Sequence, residues 1–207
     1  NQLAPGGTIV KPRSYDGRVF FEGELGVVNG RRCRDVSASE VADCVFGYTC
    51  VNDVTAFQII KKDPAFQQWS RAKSFDTFGP FGPVIATDLD PQSLQIIATV
   101  GSRVRQDYPV SDMFFTPLEL IQWISRDMAL FHGDIISCGT SGGALPMKPG
   151  VTVEIRIDGI GLLPTPSPRI PWRRSPRRSE PSPLNMSRKR FTQLRVPTSP
   201  RPLILSP

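Results

Sequence analysis

The chain has 207 residues, 39% of them apolar, with 21 prolines and a formal charge of +6. That length allows one medium domain with its own core, and the absence of any run of 18 apolar residues excludes a membrane-spanning helix. The charge is unevenly placed: residues 163–207 hold 10 of the 25 Lys and Arg, 1 of the 19 Asp and Glu and 11 of the 21 prolines, so a basic tail follows a mildly acidic body.

The first residues, Asn1-Gln2-Leu3-Ala4-Pro5-Gly6-Gly7, are neither a signal peptide nor an initiator methionine, so the chain is expected to begin inside a longer gene product. Residues 1–18 read as a lead-in with one short strand near Thr8-Ile9-Val10. Residues 19–28 read as a strand with Phe21, Leu25 and Val27 on one face and Glu22 and Glu24 on the other, because side chains alternate along a strand. Ser37-Ala38-Ser39-Glu40 has the form of a capping box and predicts a short helix ended by Gly47. Strand character resumes at residues 48–54, and a polar, irregular stretch runs on to Ser70.

Gly79-Pro80-Phe81-Gly82-Pro83 predicts a rigid turn or loop, since its prolines and glycines forbid a helix. Strands are expected near residues 84–87 and 94–100. Thr116-Pro117-Leu118-Glu119 is a second capping box, followed by Ile121, Ile124 and Met128 at helical spacing, with Gly133 as the stop. A short strand at 135–138 leads into Gly139-Thr140-Ser141-Gly142-Gly143. The alternation of Val151, Val153, Ile155 and Ile157 then marks a half-buried strand. Many short strands and two short helices predict a mainly β domain over residues 1–162. The Pro-, Ser- and Arg-rich residues 163–207 cannot bury enough surface to offset chain ordering and are expected to be disordered.

Several groups of residues could carry chemistry. Glu22-Gly23-Glu24 puts two carboxylates on one strand face, which a hard divalent ion would compensate; on spacing alone a solvated strand edge with two ordinary glutamates is the commoner explanation. Gly23 would let backbone or ligand approach closely. Asp53 could add a third carboxylate, although nothing local makes it converge. Lys73, before the rigid turn, could present an ammonium to an anion or lie on the surface. The small residues at 139–143 expose backbone N–H groups and a hydroxyl, as a carboxylate site or as a plain turn. His132 is the one histidine, and a place at a helix end accounts for it without catalysis. With no C-x-x-C spacing among Cys33, Cys44, Cys50 and Cys138 and a single histidine, a Cys/His zinc site is not expected; the thiols read as reduced and buried in a cytoplasmic protein.

Taken together and in order, Phe21-Glu22-Gly23-Glu24-Leu25-Gly26-Val27-Val28, Gly47-Tyr48-Thr49 with Asn52-Asp53-Val54-Thr55-Ala56, residues 71–83, Pro109-Val110-Ser111-Asp112-Met113, Gly133-Asp134 and Gly139-Thr140-Ser141 resemble the fumarylacetoacetate hydrolase family over residues 6–161. The resemblance implies a mixed β-roll, a homodimer, and Mg²⁺ or Mn²⁺ held by Glu22, Glu24 and Asp53. It implies that Lys73 binds the 2-oxo acid as a catalytic and substrate-binding residue, that Gln58 matches a substrate-binding glutamine, and that Thr140 holds a substrate carboxylate. The implied reaction is hydrolysis, decarboxylation, hydration or isomerisation of a 2-oxo or diketo acid through a metal-stabilised enolate. Three departures count against full activity. No histidine precedes Glu22, so the family's His/Glu base pair is absent from this chain. Ala56 runs directly into Phe57-Gln58 where the family carries Arg-Asp after the alanine, and the basic tail is foreign to the family. That tail reads as the product of a shifted frame or as a non-specific contact to nucleic acid or another acidic surface, with Trp172 and Phe191 its only aromatic residues.

Overall fold

The computed structural model describes residues 2–169, so disorder beyond them and any role of the later tail lie outside the described residues. In chain order the elements are β1 (Gln2–Leu3), β2 (Gly23–Asn29), β3 (Val45–Asn52), α1 (Phe57–Lys61), α2 (Trp69–Lys73), β4 (Gly79–Ala86), β5 (Gln95–Val100), β6 (Arg103–Pro109), α3 (Pro117–Asp127), β7 (Ile135–Ser137), β8 (Thr152–Ile157) and β9 (Gly161–Pro166). They form two sheets, ordered β1-β4-β3-β2-β7 and β6-β5-β8-β9. Every pairing is antiparallel except that of β1 with β4. The mainly β fold implied by the family resemblance is the fold observed, with three short α-helices rather than two. No helix among the described residues is long and apolar enough to cross a membrane.

Alternation along β2 explains how the sheets meet. Leu25 and Val27 are fully buried with Ile96 and Ala98 of β5, Val153, Ile155 and Ile157 of β8 and Leu163 of β9. Gly23 lies on the same face, where an added Cβ would sit 2.8 Å from Ile155 Cδ1 and 3.1 Å from Ala98 Cβ. Its missing side chain therefore lets the two sheets close, rather than admitting a ligand.

Several expected elements are shifted by tertiary pairing. The short strand near Thr8-Ile9-Val10 is irregular chain, and β1 forms earlier. At the first capping box Glu40 Oε2 accepts from the Ser37 N–H at 3.0 Å, but a 3-10 turn at Val41–Cys44 is all that follows. Gly47 lies inside β3, whose ladder with β2 begins at Val45. The irregular stretch before Ser70 contains α1, and α2 follows; single turns of five residues are too short to show periodicity. Residues 79–83 belong to β4 instead of a loop. Pro83 falls where the β3–β4 register slips between Tyr48 and Cys50, so its missing N–H costs no ladder bond.

The second capping box forms in full: Thr116 Oγ1 accepts from the Glu119 N–H, and Glu119 accepts from the Thr116 N–H. Helix α3 stops at Asp127, before Gly133, and Met128 is exposed in extended conformation; Ile121 alone of the expected stripe is fully buried. The expected boundary after residue 162 is also displaced. Leu163 and Thr165 are fully buried in β9, which pairs with β8 over its whole length.

Candidate functional site

Glu22 and Asp53 are brought together by the β2–β3 ladder. Gly23 pairs with Asn52, so the residues one step outside are also neighbours, and the Asp53 N–H donates to Glu22 O at 2.9 Å. Asn52 fixes the start of β2: its Oδ1 accepts from the Glu22 N–H at 3.0 Å, while its Nδ2 donates to Thr165 Oγ1 at 2.8 Å. One carboxylate oxygen each from Glu22, Glu24 and Asp53 lies within 4.8 Å of the other two.

Helix α2 delivers Lys73 to this cluster. The Ala56 N–H donates to Ala72 O at 2.9 Å, holding the helix beside the segment that carries Asp53. Lys73 Nζ donates to Glu22 Oε2 at 2.8 Å, to Thr55 Oγ1 at 3.1 Å and to Asp53 Oδ2. Burial lowers the ammonium's pKa, but the adjoining Asp53 and Glu22 charges together outweigh it and leave the pKa raised. Lys73 is accordingly held here as a cation and a hydrogen-bond donor.

Glu24 is the deepest of the three carboxylates, 2% exposed. The Ser137 hydroxyl and the Gly139 N–H (2.8 Å) both donate to its Oε2. Its Oε1 has no donor among the described residues. Burial, with Asp53's charge added, pushes the Glu24 carboxyl up to about 7. A buried carboxylate with one undonated oxygen, beside two further carboxylates, fits a hard divalent cation with oxygen ligands such as Mg²⁺ or Mn²⁺.

Thr140 lies in the loop that follows β7. Its hydroxyl donates to Gly23 O at 3.0 Å and accepts from Gln106 Nε2 at 2.7 Å. Beside it opens a cavity of about 300 Å³ walled by Tyr108, Met113, Phe114, Leu120 and Cys138. Gln58 is not drawn into this network: its Oε1 accepts from the Tyr15 hydroxyl and, at 3.0 Å, from the Arg18 N–H. His132 is exposed, its ring centroid 6.5 Å from that of Phe46, and it does not bond to the carboxylates. Cys33, Cys44 and Cys50 are buried free thiols and Cys138 is partly buried; burial pushes Cys50 and Cys138 up to about 12, which leaves them inert.

Thr55, Gln106, Tyr108 and Ser137 were not legible as site residues. Only the alternation of Gln106 and Tyr108 on one face of β6 could have suggested a shared role.

The model of the fumarylacetoacetate (FAA) hydrolase C-terminal family matches residues 2–166. The chain belongs to that family. It is 43% identical over 155 residues to an uncharacterized protein of Methanocaldococcus jannaschii, covering 75% of this chain and 64% of that one. It is 38% identical over 168 residues to the oxaloacetate tautomerase YisK of Bacillus subtilis, covering 76% and 55% respectively. The solved structure of 5-carboxymethyl-2-hydroxymuconate delta-isomerase from Mycobacterium smegmatis superposes with a TM-score of 0.76 at 41% identity, over 82% of this chain and 66% of that one. This member of the family therefore spans a little under two thirds, or less, of the length of these relatives.

Proposed function

We propose that Glu22, Glu24 and Asp53 hold Mg²⁺ or Mn²⁺, that the loop carrying Thr140 takes the carboxylate of a 2-oxo acid, and that the protein interconverts keto and enol forms of that acid. The observation that carries this reading is the convergence of three carboxylates within 4.8 Å around the buried Glu24. When bound, the ion supplies positive charge that lowers the energy of an enolate. Lys73 contributes a second cation, and to donate to an anionic oxygen of the substrate it exchanges one of its bonds to Glu22, Asp53 or Thr55. The apolar walls beside Thr140 take the acid's substituent. Relatives named as a tautomerase and an isomerase support proton movement ahead of bond cleavage. Among the described residues no histidine bonds to the carboxylates.

The test follows the enol form of oxaloacetate by its ultraviolet absorbance, with and without Mn²⁺. Protein that accelerates ketonisation above the metal-plus-buffer rate supports the reading. Equal rates with and without protein sink it.

A homodimer belongs to the same proposal. Phe46 of β3 and Val84 and Ile85 of the neighbouring β4 are exposed apolar residues, as a surface covered by a second copy requires. Sedimentation equilibrium returning a monomer mass at micromolar concentration disproves it.

A further inference from the structure

The hydrogen bonds around Gly23 have a direction that the donors and acceptors themselves dictate. A backbone N–H can only donate, so the Gly23 N–H, 3.0 Å from the Gln106 carboxamide, must face its oxygen. The amide nitrogen is then turned toward the loop after β7, where Nε2 donates to Thr140 Oγ1 at 2.7 Å and to Ser141 O at 3.0 Å. Gln106 is 2% exposed, so no solvent competes for these bonds. Thr140 Oγ1 is thereby an acceptor toward Gln106, and its single proton must point elsewhere. In this structure it points to Gly23 O, at 3.0 Å.

Gly23 O has a second donor, the Tyr108 hydroxyl at 2.8 Å, which lies nearer to it than to the other carbonyl in reach, Gly139 O at 3.2 Å. Tyr108 is buried, so it stays in place when Thr140 turns away. The Thr140 proton can leave Gly23 O without stranding a buried carbonyl, which would otherwise be costly.

We propose that Gln106 and Tyr108 are positioning residues that make Thr140 a dedicated hydrogen-bond donor to a ligand carboxylate. Gln106 blocks the reverse polarity, and Tyr108 releases the proton from Gly23 O. The inference rests on the reading of Thr140 as the carboxylate anchor and adds the residues that set its polarity. No covalent bond changes; one O–H···O bond is exchanged for another. Gln106 sits on β6, more than thirty positions from Thr140, which is why no local motif announces it.

The experiment titrates oxalate, which mimics the carboxylate and oxo oxygens of a 2-oxo acid, into the full Mg²⁺-loaded chain by calorimetry. Thermal melting confirms that each variant is folded. Gln106→Glu keeps an oxygen for the Gly23 N–H but gives Thr140 an acceptor, which captures its proton. Both Gln106→Glu and Thr140→Val are expected to weaken oxalate about 10-fold or more, the worth of a hydrogen bond to a charged group. In the Thr140→Val background, Gln106→Glu is expected to cost little further, which separates lost polarity from simple charge repulsion. Tyr108→Phe is the second probe: it ties the Thr140 proton to Gly23 O, weakens oxalate several-fold, and loses that effect in Thr140→Val.

Wild-type affinity in Gln106→Glu, or losses that add fully with Thr140→Val, overturns the switch while leaving the anchor standing. Should Gln106→Glu not fold, an unchanged Tyr108→Phe does the same. Wild-type protein that binds Mg²⁺ but not oxalate overturns the anchor, and the switch with it.

Discussion

Glu24→Gln is expected to weaken Mn²⁺ binding by at least about 100-fold, because even outer-shell partners of a metal are worth about 10–100-fold. The consequence is readable without any substrate. At a Mn²⁺ concentration 100 times its dissociation constant, the wild-type fold gains about 2.7 kcal/mol by mass action. For a chain of this size that gain corresponds to a rise of about 5–10 °C in melting temperature. In Glu24→Gln the same concentration is about equal to the weakened dissociation constant, and the gain shrinks to about 0.4 kcal/mol. The metal-free variant is expected to stay folded. The Ser137 hydroxyl and the Gly139 N–H can donate to the amide oxygen as they do to the carboxylate, and a buried charge is removed. A wild-type melting temperature that ignores Mn²⁺ would count directly against the metal site, whatever the variant does.

Leu163→Ala is expected to cost about 2–5 kcal/mol, as for a leucine cut back in a closed core, or about 5–20 °C in melting temperature. Leu163 is fully buried and pairs with Ile155 of β8. Its neighbour Leu162 is 42% exposed, and Leu162→Ala should stay within about 0.5 kcal/mol of wild type. The contrast between adjacent leucines is the measurement. Similar small shifts for both would show that β9 does not close the core.

β9 also shows why composition placed the boundary too early. Pro164 and Pro166 belong to a segment rich in proline and poor in aromatics, which reads as unstructured chain. In the fold, β9 is the edge of its sheet, where a proline can be accommodated. The carbonyls of these two prolines accept from the Gly6 N–H at 3.3 Å and the Ile9 N–H at 2.9 Å. Residues more than 150 positions away thus complete the strand, and no window of sequence contains both partners.

What the sequence determined by itself was local. The alternation in β2 and β8 set which side chains share a face of each sheet, and it placed Glu22 and Glu24 opposite Leu25 and Val27. The Thr116 capping box started α3 because its two reciprocal hydrogen bonds lie within four residues. The ordered motifs identified the family. The family resemblance already implied that Asp53 joins the glutamates; only the tertiary structure decided that Lys73 bonds to Glu22, that Gln58 turns toward Tyr15 and Arg18, and that Gln106 and Tyr108 stand behind Thr140. Each of those contacts joins residues at least twenty positions apart, and their chemistry depends on the direction of a hydrogen bond or the depth of a carboxylate. Such properties arise when sheets close on one another, and residue type and spacing do not carry them.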